Sequence, residues 1–354
     1  MPTTYSLIAP LKCVVGIDIA KDTFVACFGR IETSQHLRFG EETTFANTPA
    51  DFAALLAWVL PQQAAWQAPR WFVVEATGVY YEGLAYFLSD NPQAMSVLLP
   101  NKAKHFAQST EQKSKTDPLD ARLLCRLSLE RALPTWQVPT PALRQLRALA
   151  RERQSLTQQG AQLKTQRHAH QHSYQPDERT LTRLADRLRL LEQQLKDVDQ
   201  DLARLLKAGP ELARKLTHLT SMPGTGLTTA IVVVAETNGF VLIENERQLV
   251  SYAGLDVVQR QSGLASQATR ISRRGNHRLR TALYLPAISS LRHNPQQVAF
   301  YARLRARQAN GKPGVIAVMR KLLLRCYSLW KNDQSYDPHY HPAHQLLKEV
   351  APTA

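Results

Sequence analysis

The sequence has few cysteines and no long apolar run, and each absence excludes a class of protein. Its four cysteines are widely spaced and form no CxxC pair, which argues against a zinc ribbon or a disulfide framework and indicates small core residues in a reducing compartment. No run of 18 apolar residues occurs, and the first residues lack the basic start and apolar core of an export signal. We therefore expect a cytoplasmic protein without a membrane-spanning segment.

Acidic residues are absent from residues 257–332, a stretch that carries 15 Lys or Arg. The whole chain has a formal net charge of +15, yet residues 1–100 hold five Lys or Arg against nine Asp or Glu. The two halves are therefore expected to have different partners. The basic half has the charge pattern of a nucleic-acid-binding surface. A basic membrane-surface helix is the alternative, but glycines and prolines interrupt the charges, which lie on no single helix face.

Apolar runs separated by turn residues predict an α/β domain in the first 131 residues. The predicted strands lie at 13–28, where a Lys21-Asp22 turn divides two of them, and at 37–45, 71–75 and 96–99. The predicted helices lie at 49–60, 81–89 and 117–131. A hairpin followed by helix-linked strands predicts a mixed sheet with helices on its faces.

Four acidic side chains occupy positions in these elements that suit metal-dependent chemistry. Asp18 lies near the end of the first strand, Glu75 ends a later strand, and Asp117 and Asp120 share one helix face. A charge within an apolar strand is costly unless it has a partner or a function. Carboxylates are preferred ligands of Mg²⁺, and two such ions about 4 Å apart can stabilise the attacking and leaving oxygens of phosphodiester cleavage. Since acids are common on surfaces, a chance set of four is the alternative.

Leucines recur at heptad spacing between residues 149 and 205 and predict a helical hairpin or a dimerising coiled coil. The repeat consists of Leu149, Leu156, Leu163, Leu181, Leu184, Leu188, Leu191, Leu195, Val198, Leu202 and Leu205. The segment between the two runs is polar and contains His168, His170 and His172. These histidines could bind a metal, but an exposed turn is the favoured interpretation.

A second globular region is predicted after Pro210. Gly224 and Gly226 predict a tight turn that opens a helix, and this turn could either bind a DNA phosphate or serve helix packing. The last 22 residues are rich in His, Pro and Tyr and predict a loosely ordered tail.

Six sequence blocks resemble, in order, the DEDD-type insertion-sequence transposases with a RuvC-like N-terminal domain. The blocks are GIDIAKDTF, VVEATGVYYEGL, KSKTDPLDARLL, MPGTGLTTAIVVVAE, QLVSYAGLDVVQRQSG and ISRRGNHRLRTALY, which together span about residues 13–330. The chain is also similar to the Piv-type DNA invertases, which share this arrangement. The resemblance implies a ribonuclease H-like N-terminal fold in which Asp18, Glu75, Asp117 and Asp120 bind Mg²⁺.

The same resemblance implies a serine nucleophile and nucleic-acid partners. Ser262 in QRQSG is the matching serine, and Ser266 and Ser272 are nearby alternatives. The implied partners are double-stranded donor and target DNA, a structured noncoding guide RNA, and further copies of the chain in a dimer or tetramer formed through the coiled coil. The expected phosphate contacts are Arg270, Arg273, Arg274, Arg278, Arg280, Arg303, Arg305, Arg307, Arg320, Lys321 and Arg325.

Together these features predict four parts and one leading function. The parts are a RuvC-like α/β catalytic domain at 10–135, an α-helical coiled-coil hairpin at 140–209, a mainly α-helical transposase domain with the serine at 210–332, and a flexible tail at 333–354. The expected protein is a nucleoid-associated bacterial transposase or recombinase that cleaves and exchanges DNA strands. The alternatives are a RuvC-like Holliday-junction-type nuclease or invertase that uses metal-activated water, and a non-enzymatic nucleic-acid-binding remnant.

Overall fold

The computed structural model divides the chain into two compact units, Met1–Val138 and Pro139–Ala354. It describes residues 10–64, 68–76, 78–110, 114, 116–241, 243–259, 261–262, 265–266, 270–306 and 310–338. Within these residues, no helix is long and apolar enough to cross a membrane. The four cysteines are buried free thiols, as expected for small core residues.

The first unit is built on one five-stranded mixed sheet. Its strands are β1 (Pro10–Ile19), β2 (Thr23–Glu32), β3 (Leu37–Ala46), β4 (Arg70–Glu75) and β5 (Met95–Leu98). Their order in the sheet is β3-β2-β1-β4-β5. The first three strands pair antiparallel, whereas β4 pairs parallel with β1 and with β5. The predicted mixed sheet that begins with a hairpin is therefore confirmed.

Helices cover both faces of this sheet, so the strand residues alternate between two cores. The helices are α1 (Pro49–Ala64), α2 (Glu82–Asp90), α3 (Pro100–Ser109) and α4 (Asp117–Glu130). One core joins Val15, Ile17 and Val74 to buried residues of α1 and α2. The other joins Val14 and Val73 to buried residues of α3 and α4. Burial on both faces explains why β1 and β4 are apolar almost throughout.

Helix α4 lies directly on the backbone of β1 at Gly16. A Cβ atom added at Gly16 would lie 2.2 Å from the carbonyl oxygen of Ala121 and 2.3 Å from the backbone nitrogen of Cys125. The thiol of Cys125 also donates to the carbonyl oxygen of Val14 at 3.4 Å. Glycine is therefore required at this position by the close approach of the helix, not by its own backbone angles.

We expect Gly16→Ala to lower the free energy of unfolding by about 3 kcal/mol, because backbone atoms of α4 must move to admit the methyl group. Urea unfolding of the full chain measures this change. Gly160→Ala is the matched control, because a Cβ there meets nothing within 4 Å. In a helix interior that control should gain about 1 kcal/mol. Equal stability of wild type and Gly16→Ala would contradict the packing described here.

The second unit begins with two helices of 31 residues each, α5 (Pro141–Gln171) and α6 (Glu178–Ala208). An ion pair joins them, with Arg153 Nε 2.7 Å from Asp199 Oδ1. The heptad residues buried within this unit are Leu149, Leu156, Leu184, Leu188, Leu191, Val198 and Leu202. A supercoil and a dimer contact through these helices stay predictions.

The three histidines are exposed, but the predicted turn begins later than expected, since His168 and His170 lie in the last turn of α5 and His172 follows it. The rings of His168 and His172 are tilted by 41°, with centroids 4.2 Å apart. Across the described part of the chain, no group of three or more His, Cys, Asp or Glu side chains is arranged to hold a metal ion. These three histidines therefore gain no support as a metal site.

Helices dominate the remainder of the second unit, and they share one core with α5 and α6. They are α7 (Pro210–Thr220), α8 (Leu227–Glu236), α9 (Glu246–Ala253), α10 (His277–His293), α11 (Pro295–Arg305) and α12 (Lys312–Asn332). Four two-residue strands lie between α9 and α10: β6 (Val257–Val258), β7 (Gln261–Ser262), β8 (Ala265–Ser266) and β9 (Arg270–Ile271). The prediction of a mainly helical C-terminal part is confirmed.

The first six residues of the predicted tail are docked on this helical unit. Asp333 accepts from Arg214 at 2.6 Å, and the backbone nitrogen of Tyr336 donates to Ser221 Oγ at 2.8 Å. His218 Nδ1 lies 2.9 Å from Ser335 Oγ. Asp333, Ser335 and Tyr336 thus have defined partners on α7 and at its C-terminal end.

Candidate functional site

Two of the predicted acids stand side by side at the ends of neighbouring strands. The last matched pair between β1 and β4 is Ile17 with Val74, and Asp18 and Glu75 are the residues that follow. Because side chains alternate along a strand, Asp18 and Glu75 lie on the same sheet face as Gly16, the face that α4 covers. Both are half-buried. The expectation that these two strands are neighbours is confirmed.

The other two acids lie at the end of α4 that points toward Asp18. Helix α4 runs antiparallel to β1, because Lys12 Nζ donates to the carbonyl oxygen of Ser128 at 2.5 Å while Ala121 lies over Gly16. Its first turn, with Asp117 and Asp120, therefore extends beyond Gly16 in the direction of Asp18. Asp120 is half-buried and Asp117 is exposed. The backbone thus brings all four acids to one edge of the sheet.

The donor chemistry of these four residues fits a divalent ion, although their side chains are not gathered as a finished site. All four offer carboxylate oxygens, the ligands that Mg²⁺ prefers. Within the described residues, no three acidic, histidine or cysteine side chains already form a metal-binding group. Acids in a first helical turn also stabilise the helix through its dipole, which is the alternative role of Asp117 and Asp120.

Ser262 lies in β7, one of the four short strands β6 to β9, which together we call the serine ribbon. Strands β6 and β9 pair antiparallel at its base, and β7 pairs with β8 further along it. In the second pair Ser262 matches Ala265, and Ser266 matches Gln261. The side chains of residues 261–269, with both hydroxyls, lie outside the described part of the structure.

Ser272, the third serine considered, has a different setting. Its hydroxyl donates to the carboxylate of Asp256, and its backbone nitrogen donates to the carbonyl oxygen of Asp256 at 2.9 Å. Asp256 and Ser272 directly flank the β6–β9 pair. The pair therefore closes the base of the serine ribbon, which gives Ser272 a structural role.

The predicted phosphate-contacting residues divide by exposure. Those with exposed side chains are Arg270, Arg273, Arg274, Arg303, Arg305 and Arg320. Arg278 donates to Gln154 Oε1 at 2.6 Å, and Arg280 donates to the carbonyl oxygen of Ala253 at 2.8 Å. Both guanidinium groups thus have acceptors within the protein. Arg307 lies outside the described residues.

Lys321 belongs to a cluster of like charges on α11 and α12. Its Nζ lies 4.3 Å from the ring centroid of Phe300. Burial, together with the charges of Arg325 and Arg303, lowers the pKa of Lys321. A phosphate would relieve the repulsion among these cations, so the cluster suits a polyanion.

The turn at Gly224 supports the packing interpretation. Gly224 has φ +93°, and an added Cβ would lie 2.9 Å from the backbone of Ser290 in α10. The positive φ and the close contact both require glycine there, independently of any ligand.

The sequence did not predict the buried carboxylate of Glu236. This residue ends α8, is 4% exposed, and lies 2.7 Å from Arg151 Nε in an ion pair. It follows the apolar run AIVVVA, so it meets the criterion that selected Asp18 and Glu75, a charge at the end of an apolar element. That criterion could have found it.

Comparison with known proteins gives two family matches and two near full-length relatives. A model described as "Transposase" matches residues 15–176, and one described as "Transposase IS116/IS110/IS902 family" matches residues 216–302. The pilin gene-inverting protein of Moraxella lacunata is 30% identical over 93% of this chain and 99% of its own length. That of Moraxella bovis is 29% identical over the same shares.

A solved structure, T. thermophilus RuvC in complex with Holliday junction substrate, covers 35% of this chain and 99% of its own. Its sequence identity is 10% and its TM-score is 0.27. The α/β class of the first unit therefore rests on its own strand order and helix packing.

Proposed function

Because the chain belongs to the IS110 family of transposases and DNA invertases, we propose that it cuts and exchanges DNA strands with a metal site and a serine nucleophile. Membership of this family identifies the protein as a DNA recombinase. The observation that carries the proposed site is the meeting of Asp18, Glu75 and the first turn of α4 at one sheet edge. The N-terminal unit, taken as ribonuclease H-like, is then the cleavage domain.

Asp18 and Glu75 from the sheet, with Asp117 and Asp120 from α4, would hold Mg²⁺. When bound, the ions stabilise negative charge on the attacking and leaving oxygens of the phosphodiester. The half-burial of Asp18, Glu75 and Asp120 supports this role, because reduced contact with water strengthens a carboxylate's interaction with a cation. Side-chain rotation must gather the carboxylates.

Ser262 supplies the nucleophile in this proposal. Its Oγ forms a bond to phosphorus while one P–O bond of the DNA breaks, and the leaving DNA oxygen takes up the serine proton. A hydroxyl of the new partner strand then attacks the phosphoserine, and the serine regains its proton. The phosphoester count is unchanged throughout, so the strands are rejoined without an external energy source.

One experiment separates this function from a junction nuclease or invertase that uses metal-activated water. Full-length protein is incubated with Mg²⁺, the nucleic acid that purifies with it and a duplex that carries the ends of its genetic element, and the products are resolved under denaturing conditions. The serine mechanism gives DNA that migrates with protein until protease is added. Free ends without a protein adduct would instead support hydrolysis, and the absence of any cleavage would oppose both.

The acid-free basic stretch binds the donor and target duplexes through phosphate contacts. We expect Arg320→Ala to weaken binding of all sequences alike and to reduce the slope of log Kd against log salt by about 0.9. Arg320 is exposed. Arg126 lies in the first unit, outside the basic stretch, and forms an ion pair with Glu130 at 2.6 Å. Arg126→Ala is therefore the control. The slope is measured by fluorescence anisotropy. An unchanged slope for Arg320→Ala would show that Arg320 does not contact the DNA phosphates.

Target choice in this proposal falls to a structured noncoding RNA that pairs with both duplexes, since the arginines contact phosphates and carry no sequence information. The active assembly is a dimer or tetramer joined through α5 and α6, and it acts at the nucleoid. Sequencing of the nucleic acid that purifies with the protein tests whether a guide RNA is bound. Light scattering tests whether the protein is a dimer or tetramer. Protein that recombines DNA as an RNA-free monomer would contradict both.

A further inference from the structure

Glu236 is the centre of a polar cluster that joins four helices of the second unit. Its carboxylate accepts from Arg151 of α5 at 2.7 and 3.1 Å and from Asn276 Nδ2, at the start of α10, at 2.7 Å. Arg278 Nε lies 4.0 Å away. The hydroxyl of Tyr252 in α9 donates to the backbone carbonyl of Glu236 at 2.7 Å.

The carboxylate of Glu236 stays charged despite its burial. Burial would raise its pKa, but the hydrogen bonds from Arg151 and Asn276 and the charges of Arg151 and Arg278 outweigh it and lower the pKa. A carboxylate with a depressed pKa stabilises the folded state above its unfolded pKa and loses this contribution as pH falls through the folded value. The cluster is therefore intact at neutral pH.

Asn276 connects this cluster to the end of the serine ribbon. Its Nδ2 binds Glu236, its Oδ1 caps α10 by accepting from the backbone nitrogen of Arg278 at 2.9 Å, and its own backbone nitrogen donates to the Tyr252 carbonyl at 2.8 Å. Three separate bonds thus fix one residue between α8, α9 and α10.

The two chain segments that enter and leave the ribbon cross next to Asn276. A Cβ at Gly275 would lie 2.7 Å from the backbone nitrogen of Gly254, so the segments touch there. Arg273 donates from its backbone to the Gly254 carbonyl at 3.2 Å, and Arg280 donates to the carbonyls of Ala253 and Gly275 at 2.8 and 3.2 Å. The ribbon therefore leaves the helical unit from a fixed base.

We propose that Glu236 is a positioning residue that acts through Asn276 to orient the serine ribbon, and hence Ser262, toward DNA. The inference rests on the proposed function of Ser262. A buried ion pair is weak evidence for stability, because desolvation offsets its Coulomb energy, whereas a charge with three fixed partners specifies one geometry. Disturbing the contacts of Glu236 is therefore expected to lower the rate of the reaction more than the stability of the fold.

Asn276→Asp tests the link, because aspartate keeps the α10 cap but faces Glu236 with a second carboxylate. We expect the rate of protein–DNA adduct formation to fall roughly 10²-fold, as for a reacting group displaced by about 1 Å, with DNA affinity within about twofold. Amides of Ser272, Arg273 and Asn276 should exchange hydrogen at least about tenfold faster. Asn276→Ser, which keeps a cap and removes only the amide donor, serves if the aspartate variant does not fold.

The reciprocal variant Asn276→Asp/Glu236→Gln exchanges donor and acceptor and restores the hydrogen bond with the same net charge. We expect the rate of adduct formation and the rates of amide exchange both to return to within about threefold of wild type. Asn245→Asp is the matched control, since Asn245 caps α9 by accepting from Gln248 at 3.0 Å and is exposed. It should behave as wild type.

The outcomes separate the inference from the function on which it rests. Wild-type protein that forms no DNA adduct refutes the serine mechanism, and amide exchange still tests the link through Asn276. Adduct formation at the wild-type rate by Asn276→Asp, or by Asn276→Ser in its place, overturns the positioning role. So does a double variant that stays as slow as the single one.

Discussion

Asp18→Asn is expected to abolish DNA cleavage while DNA affinity stays within about twofold of wild type. Asparagine keeps the shape of the side chain but removes the charge that a divalent ion requires. Losing a metal ligand at the reacting phosphate should remove several kcal/mol of transition-state stabilisation, a loss of roughly 10³-fold or more in rate. Single-turnover cleavage in Mg²⁺ measures the rate, and anisotropy measures binding.

Asp22→Asn is the matched control for this change. Asp22 lies four residues further along, exposed in the turn between β1 and β2, and its backbone carbonyl accepts from the backbone nitrogen of Asn47 at 2.9 Å. We expect it to cleave DNA as wild type does. Cleavage by Asp18→Asn at the wild-type rate in Mg²⁺ would refute the metal assignment, whatever the outcome at the other three acids.

Ser262→Ala is expected to eliminate the covalent protein–DNA adduct entirely, because no other group stores the phosphoester. Loss of a nucleophile removes about 10⁴-fold or more of the rate where residues act as a unit. The adduct is detected as labelled DNA that stays with protein under denaturing conditions. Binding should be unaffected, which separates loss of chemistry from loss of DNA contact.

Two neighbouring serines make this test specific. Ser266 stands on β8, the strand that pairs with the strand of Ser262, so Ser266→Ala controls for a lost hydroxyl in the same ribbon and should keep the adduct. Ser272→Ala should slow adduct formation without abolishing it, because it frees Asp256 at the ribbon's base. An adduct that persists in Ser262→Ala and disappears in Ser266→Ala would move the nucleophile to Ser266.

The strands of the sheet were predictable from the sequence because their causes are local. β-Branched and aromatic runs specify β1, β2 and β4, and the parallel pairing of β1 with β4 brings Asp18 and Glu75 to one edge. The close approach of α4 to Gly16 was not predictable, since a glycine in a strand has several possible causes. Only the partner backbone identifies the reason.

Contacts between residues that are distant in the sequence were not predicted. Arg151, Glu236 and Asn276 are separated by 85 and 40 residues, so no periodic pattern connects them. Arg278 and Arg280 have protein acceptors that the sequence did not indicate, because an arginine's hydrogen bonds are set by what surrounds it, and their phosphate contacts stay predictions. The same reason explains the docked segment 333–338, whose composition predicted a loose tail.

The contact between α4 and Gly16 also bears on the mobility of the genetic element. Half of the proposed acidic site is carried by a helix that rests on bare backbone, so a single methyl group at that contact affects stability and site geometry together. A substitution there is expected to give a temperature-sensitive protein, which functions in the cold and loses its function on warming. An element carrying such an allele could be allowed to move and then held in place by a shift in temperature.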